Sequence, residues 1–228
     1  MIQMQMSLGE VLRLTLFGTS HGPRVGAFLE GVPAGISVDY HNLENLMSER
    51  RPGGRYASKR REPDKVEFLS GIDNGVTTGG KIEISIKNKD VRTKDYSFLP
   101  DHPRPGHQDM VMLKRTNGEA DLRGGGMSSA RLTAPIVAAS AIITPLIEQL
   151  GININAHVCS IGSIDSKPLL ECEPKWATDE CKAIRCQDKT AALEMINVVE
   201  QHRRNLDSVG SKVELQISGM PLGIGEPW

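Results

Sequence analysis

Apolar residues recur along this chain in two rhythms. Strict alternation marks strands. Over Lys81–Ile86, Ile82, Ile84 and Ile86 point one way and Glu83 and Ser85 the other. Lys212–Ser218 repeats the pattern with Val213, Leu215 and Ile217. Further strands are expected at Val11–Phe17, ending at Gly18, at Val25–Gly31, closed by Val32-Pro33-Ala34-Gly35, and at Val66–Ile72 and Asn153–Ile161. The second rhythm is helical. Leu43, Leu46 and Met47 predict a helix over Asn42–Glu49, stopped by Gly53-Gly54. Ala191, Leu193, Ile196, Val198 and Val199 predict another over Thr190–Arg204, and a long apolar helix is expected over about Ser129–Leu150. Strands arrive in runs rather than alternating with helices, which predicts an α+β class and not a doubly wound sheet.

Between the fourth strand and the long helix lies Asp90–Asn117, which reads as irregular, with Pro100, Pro103, Pro105 and Gly106. Loops this long in a compact chain are more often functional than idle. The apolar run Leu132–Ile147 is short for a bilayer span of ~20 residues and contains Pro135 and Pro145, so it reads as a buried core helix. Met1–Leu8 is polar, with no basic region leading into an apolar one, so no signal peptide is visible. The chain is expected to be soluble and cytoplasmic.

The 228 residues are 39% hydrophobic, enough for a packed core, but only 4% aromatic, so that core must be aliphatic. Lys+Arg 27 against Asp+Glu 28 gives a net charge of -1, which argues against a general polyanion binder while leaving room for local basic patches. Cys159, Cys172, Cys181 and Cys186 form no C-x-x-C pair and read as structural thiols rather than a zinc site.

Four segments carry candidate chemistry. Gly18-Thr19-Ser20-His21-Gly22 places a Ser-His pair where backbone can approach a ligand; alone, it reads equally as a turn with a surface histidine. Asp101-His102-Pro103-Arg104-Pro105-Gly106-His107 stiffens Arg104 between prolines and sets His107 after a glycine; its bland reading is a rigid surface loop. Arg123-Gly124-Gly125-Gly126-Met127-Ser128-Ser129-Ala130-Arg131, leading into a helix, offers backbone N–H groups, two hydroxyls and two guanidiniums to a phosphate, or simply a flexible turn with a serine cap. Arg50-Arg51-Pro52-Gly53-Gly54-Arg55, continued by Lys59-Arg60-Arg61-Glu62-Pro63-Asp64, suits anions through planar forks, or is a solvated basic face. Together, two glycine-adjacent histidines, several arginines and a phosphate-style turn describe a site for a small, multiply anionic ligand with proton transfers. A metal site is not expected, because no acidic cluster accompanies the histidines.

In chain order these segments resemble chorismate synthase. Phe17-Gly18-Thr19-Ser20-His21-Gly22 with Glu30-Gly31-Val32-Pro33-Ala34-Gly35 is similar to its first signature. Arg50-Arg51-Pro52-Gly53, Arg61-Glu62-Pro63-Asp64, Ser70-Gly71-Ile72, His102 to His107 and Arg123 to Arg131 resemble later ones, and Pro221-Leu222-Gly223-Ile224-Gly225-Glu226-Pro227 resembles the mid-chain motif. The resemblance implies an α+β fold with helices sandwiched between antiparallel sheets. Residues 1–228 would then be the N-terminal portion of a single domain, incomplete at the C-terminus, where a Lys-Pro flavin loop and a catalytic Asp would lie. Such a chain is expected to show no elimination activity alone and to bind flavin weakly.

The implied activity is that of a lyase of the shikimate pathway, in aromatic amino acid biosynthesis. It converts 5-enolpyruvylshikimate 3-phosphate to chorismate and phosphate by 1,4-anti-elimination with reduced FMN, with NADPH as a reductant. The resemblance implies His21 and His107 as catalytic residues, His107 as acid toward the leaving phosphate and His21 as donor to the reduced flavin. It implies Ser20, Arg50 or Arg51, Arg55, Arg104 and Arg131 for the substrate, and Arg123, Met127, Ser128 and Ser129 for the cofactor. Thr19 stands where the family commonly has Glu, and Met127 where it commonly has Arg. The turn after Arg51-Pro52 is about one residue short, which leaves open whether Arg50 or Arg51 faces the site. The family is tetrameric, and no nucleic-acid or membrane partner is expected. The alternatives are a catalytically inactive fragment of that enzyme and a phosphate- or RNA-binding module using Arg50 to Arg61.

Overall fold

The computed structural model describes residues 6–51, 56, 60–91, 93–173 and 176–224. Backbone contacts divide the chain into two units, residues 1–52 with 59–145, and residues 53–58 with 146–228.

In the first unit the alternating segments become a five-stranded antiparallel sheet. Its strands are β1 (Met6–Leu8), β2 (Arg13–Gly18), β3 (Arg24–Glu30), β4 (Val66–Ser70) and, after the small hairpin β5 (Ile72–Asp73) and β6 (Val76–Thr77), β7 (Ile82–Lys87). Their order is β1-β2-β3-β7-β4. The register sets Ile82, Ile84 and Ile86 of β7 against Leu29, Ala27 and Val25 of β3. All six of these side chains are fully buried. Gly26, between Ala27 and Val25, leaves room for the Phe17 ring; a Cβ there would come within 2.3 Å of it.

Helix α1 (Tyr40–Arg50) is capped by Asp39, whose carboxylate accepts from the Asn42 N–H, and it buries Leu43 and Met47 in the sheet's core. A short helix, α2 (Asp109–Arg115), lies within the segment read from sequence as irregular. Seven residues following a Pro-Gly run are too few for a clear helical period. The long apolar helix, α3 (Thr133–Gln149), starts four residues later than expected. Gly126–Ser128 and Ala130–Leu132 form separate 3-10 turns instead, with Ser129 between them in extended conformation. The segment Ala130–Gln149 is long and apolar enough to cross a membrane by composition. Its Ala134, Ala138, Ala139, Ala141 and Ile142 are buried in the same core as the β7 isoleucines.

The second unit holds a three-stranded sheet of order β10-β8-β9, built from β8 (Asn153–Ile161), β9 (Ile164–Asp165) and β10 (Ser211–Ser218). Helices α4 (Asp179–Ile184) and α5 (Lys189–Arg204) bury Cys181, Ile184, Ala191, Ala192 and Met195 together with Ile161. Helix α4 went unread in sequence because it is six residues long and flanked by polar positions. The alternation of Val213, Leu215 and Ile217 is real, but this face is exposed, with Val213 at 68% and Leu215 at 60%.

Equal alternation therefore has unequal consequences in the two sheets. Ile84→Ala should cost about 2–5 kcal/mol, the range for emptying a closed core site. Leu215→Ala should cost under about 0.5 kcal/mol. Denaturant unfolding of the two variants measures both, and equal losses would contradict the burial difference.

Candidate active site

Four segments distant in sequence meet in the first unit at the 3-10 turns that precede α3. The Ser20 N–H donates to the Gly126 carbonyl at 3.0 Å. Gln108 Nε2 donates to the Gly125 carbonyl at 2.8 Å. Arg104 Nη2 donates to the carbonyls of Leu122 and Gly124, each at 2.8 Å. Arg50 Nη2 donates to the Ala130 carbonyl at 3.3 Å. Gly124 is the contact point for His21: a Cβ there would lie 2.6 Å from His21 Cε1. With φ +60° as well, the position admits little but glycine.

His21 sits edge-on to Tyr96, with ring centroids 4.9 Å apart. The buried Ser20 hydroxyl is 3.1 Å from His21 Nδ1 and 3.2 Å from the Arg123 carbonyl, so its single proton serves one of the two. Burial lowers the His21 pKa, and the positive charges of Arg60 and Arg123 lower it further. Thr19, at a position where the resembled family commonly carries Glu, donates to Asp121 Oδ2 at 2.7 Å. Asp121 also accepts from Arg123 Nε and Nη2 at 2.7 and 2.8 Å. Burial alone would raise the Asp121 pKa, yet the hydrogen bonds from Arg123 and Thr19 bring it below its ordinary value.

His107 and Arg104 share one carboxylate. Asp109, wholly buried, accepts from the Arg104 backbone N–H at 2.9 Å, from Arg104 Nε at 2.8 Å and from Arg104 Nη2 at 2.7 Å. Its Oδ1 is also 2.6 Å from His107 Nδ1. Hydrogen bonding from Arg104 holds the Asp109 carboxyl far below the usual carboxylate range, against the opposing effect of burial. The same pairing raises the pKa of Arg104.

The third layer is a buried ion network. Asp64 accepts from Arg50 Nη1 at 2.6 Å and from Arg131 Nη1. Arg131 Nε donates to Asn88 Oδ1 at 2.8 Å, and Asn88 Nδ2 donates to the carbonyls of Thr19 and Gly22. Glu62 accepts from Arg60 and from the backbone N–H groups of Lys89 and Asp90. Arg60 Nη2 also donates to the Ser20 carbonyl at 2.7 Å.

Arg50 therefore faces the network, while Arg51 turns away to Glu44 at 2.6 Å. Arg131 is placed deep, with 2% of its side chain exposed, and Arg104 is held by carboxylate and carbonyls. Ser128 is exposed beside the glycine turn, with Met127 half-buried next to it. Ser129 caps the second 3-10 turn by accepting from the Arg131 N–H. Arg55 lies outside the described residues, as does the end of the last resembled motif, residues 225–228.

Asp64, Asp109, Asp121 and Asn88 were not read as site residues. Asp64 stood in the quoted Arg-Glu-Pro-Asp run, and Asp109 two positions after His107, so proximity in sequence was the available signal. Asn88 carried none.

A cavity of about 570 Å³ adjoins this cluster, walled by Tyr96, Leu99, Pro100 and Leu122, with Lys94 and Arg123 on its lining. Apolar walls with cationic donors suit a flat ring that carries a phosphate, and the volume falls in the range of small-molecule sites. The lining also carries the Asp121 carboxylate, paired with Arg123.

Two outcomes follow from this geometry. Arg131→Ala would remove one of the two guanidiniums on the buried Asp64 carboxylate, leaving Arg50, and should cost about 1.5–3 kcal/mol by denaturant unfolding; a loss under about 0.5 kcal/mol would contradict the network. His21 should titrate with a midpoint below 6.5 in an NMR pH series, remaining mostly neutral at pH 6.5. A midpoint at or above 6.5 would contradict the lowering by burial and the two arginines together.

The family model for chorismate synthase matches residues 12–228. Similar curated proteins include the chorismate synthases of Aeropyrum pernix, 44% identical over 226 residues, and of Porphyromonas gingivalis, 43% identical over 224 residues. Each alignment covers 97% of this chain, but 58% of the first relative and 60% of the second. A crystal structure of chorismate synthase shares the fold with a TM-score of 0.65 at 24% identity, covering 92% of this chain and 58% of that one. The chain thus spans less than two thirds of the length of these relatives. With the family model matching nearly every residue from 12 onward, the chain belongs to the chorismate synthase family.

Proposed function

We propose that this chain carries the phosphate-eliminating site of a chorismate synthase, a lyase that converts 5-enolpyruvylshikimate 3-phosphate to chorismate and phosphate. The observation that supports it is the convergence of Ser20-His21, Arg104-Pro105-Gly106-His107 and Arg123 to Arg131 on one glycine turn. Both units are read as parts of one synthase domain. Solubility, a cytoplasmic setting and a homotetrameric assembly belong to the same proposal. A role as a nucleic-acid module is not favoured by the family match.

The substrate carries a phosphate and two carboxylates, which call for arginines. Arg50, held on Asp64, has 15% of its side chain exposed, against 2% for Arg131 on the same carboxylate. Arg104 and Arg131 fix the frame of the anion site, since their donors already meet Asp109 and Asp64. His107, one third exposed, protonates the departing phosphate from the ring nitrogen that Asp109 does not hold.

Tyr96 and Arg123 on the cavity lining, with Ser128 and Ser129 on the adjoining 3-10 turns, would hold FMN, and His21, kept neutral, would donate its one N–H to the flavin ring. Reduced FMN, when bound, supplies electron density to the breaking allylic C–O bond; NADPH would serve as its reductant. Water exclusion falls to the apolar wall of Tyr96, Leu99 and Pro100.

Anaerobic turnover of 5-enolpyruvylshikimate 3-phosphate with chemically reduced FMN tests the reading on the full protein. Phosphate and chorismate should appear in equal amounts, and His107→Ala should lower kcat by ~10–10³ while leaving flavin affinity within a few-fold. An unchanged kcat would remove His107 from the chemistry. No phosphate release from a protein that carries this chain and spans the full length of its relatives would overturn the function.

A further inference from the structure

We propose that Asp109 is the positioning residue of His107: its buried carboxylate selects the imidazole tautomer protonated at Nδ1 and turns Nε2 outward. The orientation of the ring is read from this structure; its use as an acid rests on the function proposed above.

A carboxylate accepts and never donates when ionised. Asp109 is wholly buried and receives three hydrogen bonds from Arg104, which keep it ionised. Its Oδ1 lies 2.6 Å from His107 Nδ1. The proton between them must therefore sit on Nδ1 whenever the ring is neutral. One third of the His107 side chain is exposed, and Nε2 lies on the ring edge away from the carboxylate. After Nε2 gives up its proton, the ring is left as the Nδ1–H form that Asp109 already holds, so no ring rotation is needed within the step. The carboxylate in a Ser-His-Asp triad orients its histidine by the same logic.

Asp109→Asn sharpens the test because Arg104 dictates how the new amide sits. Oδ2 faces two donors, the Arg104 N–H and Nε, whereas Oδ1 faces Arg104 Nη2 and His107 Nδ1. Placing the amide NH₂ at the Oδ2 position would set it against two donors that cannot accept. At the Oδ1 position it meets only one such donor, together with an imidazole nitrogen that can accept. The amide carbonyl should therefore stay on Arg104 and the NH₂ should turn to Nδ1, forcing the ring proton to Nε2. An imidazolium would then point Nδ1–H at the amide NH₂, which removes the acid.

The experiment is ¹⁵N NMR of histidine-labelled protein at a pH where His107 is neutral, with its signals assigned by their loss in His107→Gln. The unaltered protein should show Nδ1 protonated and Nε2 unprotonated, and Asp109→Asn should show the reverse. A predominance of the Nε2–H form in the unaltered protein would overturn the proposal, and needs no variant to fold. An identical tautomer in folded Asp109→Asn would overturn it as well, since a carboxylate that merely braces the loop has no hold on the ring proton.

Turnover then separates this proposal from the function beneath it. Asp109→Asn should lower kcat about as far as His107→Ala, with no further loss in the double variant. A reversed tautomer with unchanged turnover would leave Asp109 as the orienting group and remove His107 as the acid.

Discussion

Three carboxylates with no exposure to water hold this site together. Glu62, Asp64 and Asp109 lie where an unpaired charge would cost several kcal/mol. Each is met by arginine. Asp109 and Glu62 also receive backbone N–H groups, from Arg104 and from Lys89 and Asp90. Asp64, through Arg131, and Glu62, through Lys89 and Asp90, tie together segments far apart in sequence, whereas Asp109 fixes the local loop that carries Arg104 and His107. The pairing of Asp64 with Arg131 is what leaves Arg131 Nε on Asn88, and Asn88 in turn holds the carbonyls on either side of Ser20-His21. Remove one carboxylate and the loop carrying a histidine loses its anchor.

The arginines are consequently less free than their number suggests. Of the residues described, Arg50, Arg60, Arg104, Arg123 and Arg131 face Glu62, Asp64, Asp109 and Asp121 across the cluster. Their positive charge is largely compensated, far from the uncompensated stripe that holds a nucleic-acid backbone. Rigid, pre-paired guanidiniums lose little entropy when a ligand arrives, which suits the phosphate elimination proposed above.

Much of this was legible in the sequence. Alternation placed β3 and β7 to within a residue or two, because both rows of side chains meet a core and any slip would expose them. The Gly-Thr-Ser-His-Gly, Pro-Arg-Pro-Gly-His and Arg-Gly-Gly-Gly runs marked the loops that converge. Three things were hidden. The short helices α2 and α4 carry too few turns to show a period. The glycine run ends in 3-10 turns rather than opening α3 directly, a matter of φ at Gly124 and Gly126 that composition does not encode. The depth of Arg131 was invisible too, since an arginine in a motif looks the same whether it meets a ligand or a buried aspartate.

The central claim is that the cluster is assembled before any ligand arrives. Hydrogen exchange of the arginine side chains in ligand-free protein tests it most directly. Nε–H of Arg104, on Asp109, and of Arg131, on Asn88, should give resolved NMR signals that exchange slowly and shift little with added salt. Arg203, with 61% of its side chain exposed, serves as the internal comparison. Slow exchange at Arg104 and Arg131 is the result the account predicts. Fast exchange at both, restored to slow only when an anionic ligand is added, would contradict it and make the ligand the organiser of the site.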